Sequence, residues 1–377
     1  MQKEVIDALR RIEGVIALAI DIVPHPSAEQ AQCLTEILES RGCDLLFTIN
    51  EWGMDSDGIL FEFINKKRLL HINWCVDDPF YEELMKRKKY RPCARRIDFV
   101  SDRGYVARMK QCGYNVHFLP LGTEQRVFFP QDSEKSIDVS FVGNSYLPQI
   151  DEFARNQQSF LEQCFPFLAD LISKYLKNTG YPLEEAIYKR ISGMKLPENL
   201  SPDWAQFIAK HLAGFLHRRQ LVKLVAGKFP GFVVFGDAGW KDEIDDERLK
   251  KVKYGEELRK VYNSTKVNID INRVVIRDGF TQRVFDVLAS GEFLITSYKP
   301  VIKEFFITEG PQKELVTFSS YNELISLIEY YLKHEDERRQ IADRGYRKVI
   351  SMHTYDHRLR EAFRIISEEI SKFMLPV

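Results

Sequence analysis

The feature that most constrains this chain is a rhythm. Short, continuous apolar runs alternate with amphipathic helical stretches, in two separate blocks. In the first block, Val15 to Ile22 (VIALAIDI) reads as a buried strand and Ala28 to Ser40 as a helix. Asp44 to Asn50, Leu69 to Trp74, Arg96 to Ser101 and Val116 to Leu119 read as further strands. Strands that are apolar throughout, spaced by helices, predict a parallel sheet covered on both faces. The second block opens with Asp138 to Val142 and resumes with Phe232 to Phe235, Val267 to Ile271, Phe293 to Thr296 and Leu315 to Phe318. Between about 148 and 228 only helical periodicity is visible. That stretch is expected to be a helical insertion after the first strand of the second block.

The polar, proline-containing stretch Pro130 to Ser136 reads as the linker. The expected domains are therefore 1–133, joined by a C-terminal helix at about 356–377, and 134–355. A chain of 377 residues suits two hydrophobic cores. Ligands of such sheets bind outside the carboxyl ends of the strands, so two such domains would face a cleft.

Composition narrows the function. The formal net charge is −1, which removes the whole-chain basic field that nucleic acid or anionic lipid would require. No apolar run approaches the roughly 18 residues of a membrane span. The amphipathic start MQKEVIDALRRIEG lacks the form of a signal peptide, so a cytoplasmic location is expected, with any membrane contact peripheral. Cys33, Cys43, Cys75, Cys93, Cys112 and Cys164 form no C-x-x-C pair and have no histidine at zinc-ligand spacing. They read as reduced, mostly buried thiols, and no metal is expected. His353 and His357 are four apart but lack a third ligand nearby.

The most informative stretch is Asp278 to Gly291, DGFTQRVFDVLASG, between two strands. Gly279 reads as the opening of a helix whose free N–H groups and partial positive charge would hold phosphate. The Gly279–Phe280–Thr281 backbone and Arg283 are the candidates for that contact. Asp286 is placed to accept hydroxyl hydrogen bonds from a ribose. Equally, a glycine at a strand-to-helix junction is common in any such sheet, with Arg283 and Asp286 then a surface pair.

The segment Tyr254 to Arg358 resembles the group-1 glycosyltransferase domain of CgeB-like spore-maturation proteins. The resemblance is carried by Gly279 and Arg283-Val284-Phe285-Asp286-Val287-Leu288-Ala289-Ser290-Gly291. It extends to Tyr254-Gly255, Leu258, Tyr262-Asn263, Lys266, Ile341-Ala342, Gly345, His353-Thr354-Tyr355 and Arg358-Leu359. Asp138 to Asn144 resembles the opening strand of that domain, and Gly236-Asp237 with Trp240 its second strand and loop. Asn50, Trp74, Val76 to Pro79 and Leu119 to Gly122 resemble the domain that precedes it. The resemblance implies the GT-B fold: α/β, two Rossmann-like domains facing a cleft, with a C-terminal helix crossing back. It also implies sugar transfer from a nucleoside diphosphate sugar (UDP-, dTDP- or GDP-linked) to a protein or surface glycan, without a cofactor or metal. The related E-x7-E element is replaced here by Asp278 and Asp286, one methylene shorter at each end.

Carried onto this sequence, the donor side would comprise Gly143, Asn144, Gly236, Asp237, Trp240, Tyr254, Asp278, Gly279, Phe280, Thr281, Arg283 and Asp286. Trp240 or Tyr254 would stack on the base, or equally serve as a core aromatic. Arg273 and Arg277 read as ordinary surface charges that could add to the phosphate contact. Asp77, Asp78, Asp21 and His25, after predicted strands of the first domain, are the rival acceptor bases; Asp78 could equally shape the turn before Pro79. The run His217-Arg218-Arg219 reads as a solvated face, or a contact for a phosphate-bearing acceptor. The insertion is a candidate acceptor platform, lid or homodimer interface. The competing readings are a non-catalytic nucleotide-sugar-binding scaffold, a nucleotide-sugar epimerase or hydrolase, and a nucleotide-sensing α/β protein.

Overall fold

The computed structural model describes residues 1–80 and 95–374. Cys93 and the last three residues of the expected C-terminal helix lie outside the described residues. The chain divides into two compact units. The first is Met1–Gly122 with Arg277–Phe280 and His353–Val377; the second is Thr123–Ile276 with Thr281–Met352.

The first unit is built on a parallel sheet of β1 (Leu45–Ile49), β2 (Leu70–Cys75), β3 (Arg96–Val100) and β4 (Val116–Phe118), paired in chain order. Its helices are α1 (Gln2–Leu9), α2 (Ala28–Arg41), α3 (Ile59–Lys67) and α4 (Val106–Gln111), together with α13 (Tyr355–Met374) from the chain's end. A capping box starts α2: the Ser27 hydroxyl accepts from the Gln30 N–H, and the Gln30 side chain accepts from the Ser27 N–H. Trp74 is buried, donates its indole N–H to the Leu119 carbonyl at 3.0 Å, and meets Tyr355 of α13 edge-on. This ties the returning helix into the core of the first unit.

One sheet face is polar. Thr48, Asn73 and Asp98 share one register across β1, β2 and β3. Thr48 donates to Asn73 Oδ1 (3.0 Å), and the Asn73 amide donates to Asp98 Oδ1 (3.1 Å). Buried Arg96 pairs with both Asp98 and Glu51. Burial, and then the charge of Arg96, hold the His71 pKa well below its usual range, so the imidazole stays neutral against Thr48. Buried charges require such pairing, because removing one partner leaves the other desolvated and uncompensated.

The strand expected at Val15 to Ile22 does not form. The segment belongs to no strand, and Ile16 is 92% exposed, with Leu18 and Ile20 exposed beside it. Only Ile22 packs against the α2–α3 cluster around Leu34, Leu38 and Leu60. An apolar run records a preference for burial but names no pairing partner, and the sheet ends at β1. Cys33 and Cys112 are exposed as well, against the expectation of mostly buried thiols: Cys33 lies off the buried face of α2, and Cys112 caps α4.

The second unit holds six parallel strands in the order β10-β9-β8-β5-β6-β7. These are β5 (Ile137–Val142), β6 (Phe232–Phe235), β7 (Leu249–Lys250), β8 (Thr265–Asp270), β9 (Leu294–Ser297) and β10 (Val316–Phe318). Three helices separate β5 from β6: α5 (Leu147–Lys177), α6 (Leu183–Ser192) and α7 (Pro202–Lys228). After them come α8 (Glu256–Asn263), α9 (Gln282–Ala289), α10 (Ile302–Phe305), α11 (Tyr321–Lys333) and α12 (Glu335–Met352). Val139, Phe141, Val267, Ile269 and Ile295 carry the central strands into one core with Val222 and Val225 of α7. No helix among the described residues is long and apolar enough to cross a membrane.

Candidate functional site

The carboxyl ends of β5, β6, β8 and β9 lie together at one edge of the second unit's sheet, the edge where parallel sheets bind ligands. β5 runs out into Gly143-Asn144-Ser145-Tyr146. Asp237, after β6, fastens this loop by accepting from the Ser145 N–H (3.0 Å) and hydroxyl (2.6 Å). Trp240 donates its indole N–H to the Gly143 carbonyl at 2.8 Å. Gly236 must be glycine here, since a Cβ would stand 2.5 Å from the Gly143 carbonyl oxygen. Trp240 is buried edge-on against Phe141 and so belongs to the core, which removes it as the stacking ring. Tyr254 is 46% exposed and meets Phe128 edge-on.

Three guanidinium groups gather at this edge. Arg218 of α7 is 3% exposed and donates to the carbonyls of Asn144 (3.2 Å) and Ile271 (3.0 Å), while its buried Nε has no partner among the described residues. Its guanidinium lies 5.2 Å from the Tyr146 ring centre and 5.7 Å from that of Phe141. Arg273 approaches Tyr146 at 5.7 Å, and Arg283 approaches Phe141 at 5.6 Å. Burial, together with the charges of Arg283 and Arg273, pulls Arg218 down to about 10. Arg283 is half-buried, but Asp270 beside it outweighs the desolvation penalty and raises its pKa. Asp270 also accepts from the Thr296 hydroxyl at 2.9 Å.

The cluster therefore brings three guanidinium groups together, one of them paired with the fully buried carboxylate of Asp270. Two further groups there are unsatisfied among the described residues. Asn272, 3% exposed, has neither amide atom hydrogen-bonded, and the buried Thr281 hydroxyl at the start of α9 has no partner. Buried polar groups without partners are uncommon and suit a ligand's atoms.

Arg218 and His217 are thus not a solvated face: both are buried, and only Arg219 reaches toward solvent. Arg273 is drawn into the cluster from the position of a surface charge. Asp286 is 2% exposed, with its two oxygens taken by the Thr123 hydroxyl (2.7 Å) and the Gln282 amide (3.2 Å), so it is neither a surface pair with Arg283 nor open to a ribose. Gln282 also donates to the Tyr254 hydroxyl at 2.7 Å.

Gly279 does not open the helix. α9 starts at Gln282, and Asp278, Gly279 and Phe280 group with the first unit. There Asp102 accepts from the N–H groups of Arg277 (2.7 Å) and Asp278 (2.8 Å), and the Asp278 carboxylate pairs with Arg103. A Cβ on Gly279 would stand 3.1 Å from the Asp102 Cα, so this glycine permits a close backbone approach. The guanidinium of Arg277 lies over Tyr105 in the same unit.

In the first unit Asn50 controls Asp77. The Asn50 amide donates to Asp77 Oδ2 at 2.9 Å, and its oxygen accepts from the Val76 N–H at 2.8 Å. Asn50 and Glu51 both have positive φ, 52° and 55°, at the carboxyl end of β1. Consecutive left-handed non-glycine residues cost energy and cluster at functional sites. Asp78 accepts from the Phe80 N–H at 2.9 Å and shapes the turn. Asp21 and His25 are exposed on the irregular stretch before α2. Among the described residues no group of three or more His, Cys, Asp or Glu side chains could hold a metal ion.

Residues 217–364 match a family model described as glycosyl transferase-like. No curated protein matches the chain. Among solved structures, the chain is similar to Anabaena HepE (Alr3699) in complex with UDP-glucose, with a TM-score of 0.53 at 8% identity, covering 90% of this chain and 82% of that one. The same protein in complex with UDP and glucose gives a TM-score of 0.52 at 8% identity, covering 89% and 80%. A trehalose-6-phosphate synthase gives 0.50 at 10% identity, covering 93% and 78%. At these identities the likeness establishes the fold: GT-B, with two Rossmann-like domains.

Proposed function

We propose that this chain is a glycosyltransferase that takes its sugar from a nucleoside diphosphate sugar bound in the second unit. The observation that carries the reading is the cluster of Arg218, Arg273 and Arg283 at the strand ends, inside a unit most of whose later half matches a glycosyl transferase-like family. Breaking the bond between sugar and diphosphate builds negative charge on the leaving phosphate. Cations fixed in place before the reaction stabilise that charge without reorganising. Three guanidinium groups, the unpartnered Thr281 hydroxyl and the Asn272 amide supply cations and donors for it, the role a divalent ion has in other enzymes of this chemistry.

The exposed Tyr254, held by Gln282, is assigned to the nucleoside. The ribose contact first expected of Asp286 falls to this pair, with Asp286 orienting Gln282 from below. The acceptor is assigned to the first unit, where Asp77, oriented by Asn50, is the base that removes the acceptor's proton. The similarity of the fold to proteins described in complex with UDP and UDP-glucose supports a uridine nucleotide as the first ligand to try.

The test is calorimetry and thermal shift with UDP, dTDP and GDP and their sugars, on the wild type, Arg218→Met and Arg273→Met. A ligand that binds only the folded state raises the melting temperature. One nucleotide should stabilise the wild type, and each variant should bind it about ten- to a hundredfold more weakly, the loss of a charge-assisted hydrogen bond. If the variants bind as the wild type does, the arginine cluster is not the donor site. Binding without sugar transfer to any acceptor would favour the scaffold reading.

A further inference from the structure

The guanidinium groups at the strand ends of the second unit alternate with two aromatic rings. Phe141, near the end of β5, is shared by Arg283 and Arg218, whose guanidinium carbons lie 5.6 and 5.7 Å from its ring centre. Tyr146, further along the same loop, is shared by Arg218 and Arg273, at 5.2 and 5.7 Å. The contacts run Arg283, Phe141, Arg218, Tyr146, Arg273. Each lies within the roughly 6 Å over which a ring face attracts a cation. Gly143 leaves room for the first pair: a Cβ there would stand 2.9 Å from Phe141 Cζ and 3.4 Å from Arg283 Nη2.

The two rings are placed for different reasons. Phe141 is a fully buried strand residue and belongs to the core of the sheet. Tyr146 is only half-buried, and its backbone is left-handed, with φ 69° and ψ 7°, a conformation that a bulky residue adopts at a cost. The loop holds it there from both sides. Before it, Asp237 accepts from the Ser145 N–H and hydroxyl, and Ser145 Oγ accepts from the Leu147 N–H at 3.0 Å. After it, the Tyr146 carbonyl accepts from the Ile150 N–H at 3.1 Å in the first turn of α5. Strain of this kind persists where the surroundings fix it, and it collects at functional sites. Glycine would make the same turn without strain. What tyrosine adds at this position is the ring.

Neighbouring guanidinium groups repel one another, so something must hold them together. Asp270 does this for Arg283, whereas Arg218 has no carboxylate partner among the described residues and is held by two carbonyls and the two rings. A carboxylate beside Arg218 would cancel its charge. A ring attracts a cation through its quadrupole and carries no net charge, so the cation stays available to an anion. We propose that Tyr146 is a positioning residue of this site: its ring holds Arg218 and Arg273 side by side, both unneutralised by it, so that together they take the diphosphate of the donor. This rests on the reading of the cluster as the donor's diphosphate site.

The test is calorimetric titration of the full chain with inorganic pyrophosphate, with UDP, dTDP and GDP titrated alongside. Tyr146→Leu and Tyr146→Gly should each bind pyrophosphate about tenfold more weakly than the wild type, from the loss of two cation–ring contacts. Tyr146→Phe keeps the ring and should stay within about twofold of the wild type. Glycine accepts the left-handed backbone that leucine strains, so it decides alone if Tyr146→Leu fails to fold. In an Arg273→Met background the loss from Tyr146→Gly should shrink to about threefold, because one of the two cations the ring holds is gone. The proposal is overturned if the wild type does not bind pyrophosphate, if Tyr146→Gly binds it as the wild type does, if Tyr146→Phe loses as much as Tyr146→Gly, or if the loss is undiminished beside Arg273→Met. Pyrophosphate binding that needs the ring, with no nucleotide bound, would uphold the role of Tyr146 and sink the donor reading. Nucleotide binding with the ring dispensable would do the reverse.

Discussion

His217 is buried beside Arg218, with its ring edge-on to Tyr175 at 5.1 Å and its Nδ1 unpartnered among the described residues. Burial first, and then the charges of Arg218 and Lys299, depress its pKa to about 3. The unfolded chain takes up this proton below about pH 6.5 while the folded chain does not, so stability falls as pH drops through that window toward 3. At pH 5 the cost is about 2 kcal/mol, from about 1.4 kcal/mol per unit. Unfolding at pH 7.5 and 5.0 should show His217→Phe losing less stability than the wild type by about that amount; equal losses would mean that His217 is protonated in the fold. The three residues of the run HRR thus go three ways, one to the core, one to the arginine cluster and one to Asp242 and Glu243. Their charge suggested solvent. The period of α7 would have placed Arg218 inside, since Gly214, Phe215, Leu221 and Val222 flank it at three- and four-residue steps and are all buried. Asn272 left no signal of its own, because an unsatisfied amide exists only once the surrounding backbone is in place.

At the scale of elements, nine of the ten strands among the described residues could be read in the sequence, because continuous apolar runs bounded by polar residues match buried parallel strands. The two-residue β7 is too short to carry a period. Val15 to Ile22 shows the opposite failure, an apolar run without a ladder. Amide exchange distinguishes the two cases. From Ile16 to Val23 no backbone N–H among the described residues has a backbone acceptor, so these amides should exchange within the fastest class, while β2, buried along its whole length, should be among the slowest. Protection of Val15 to Ile22 comparable to that of β2 would show that the segment pairs in solution. The start of α9 was misread for a related reason: Gly279 permits a close approach to Asp102, and a glycine needed for that looks the same in sequence as one that begins a helix.

At the scale of the whole molecule, the returning segment after Met352 is part of the first unit's core. Arg358 donates to the Leu121 carbonyl at 2.9 Å, Arg11 pairs with Asp356, and Tyr355 packs on Trp74. Ending the chain at Met352 removes all three. Limited proteolysis of that shortened chain, followed by mass spectrometry, should show new cuts within Met1–Gly122 while Thr123–Ile276 keeps its wild-type pattern; an unchanged pattern throughout would show that the last helix is dispensable. The sequence pointed to this return only through its resemblance to known glycosyltransferases, since nothing in the helix's own period says which core it joins.

The chain passes between the two units four times, at residues 122–123, 276–277, 280–281 and 352–353. The first unit is therefore encoded in three stretches of the gene, one of them only four residues long. A single recombination that exchanged the front of this gene for a relative's would join a new Asp102 loop to an old Asp278 and a new Trp74 to an old Tyr355. The first unit can thus be inherited cleanly only when its three separated segments travel together.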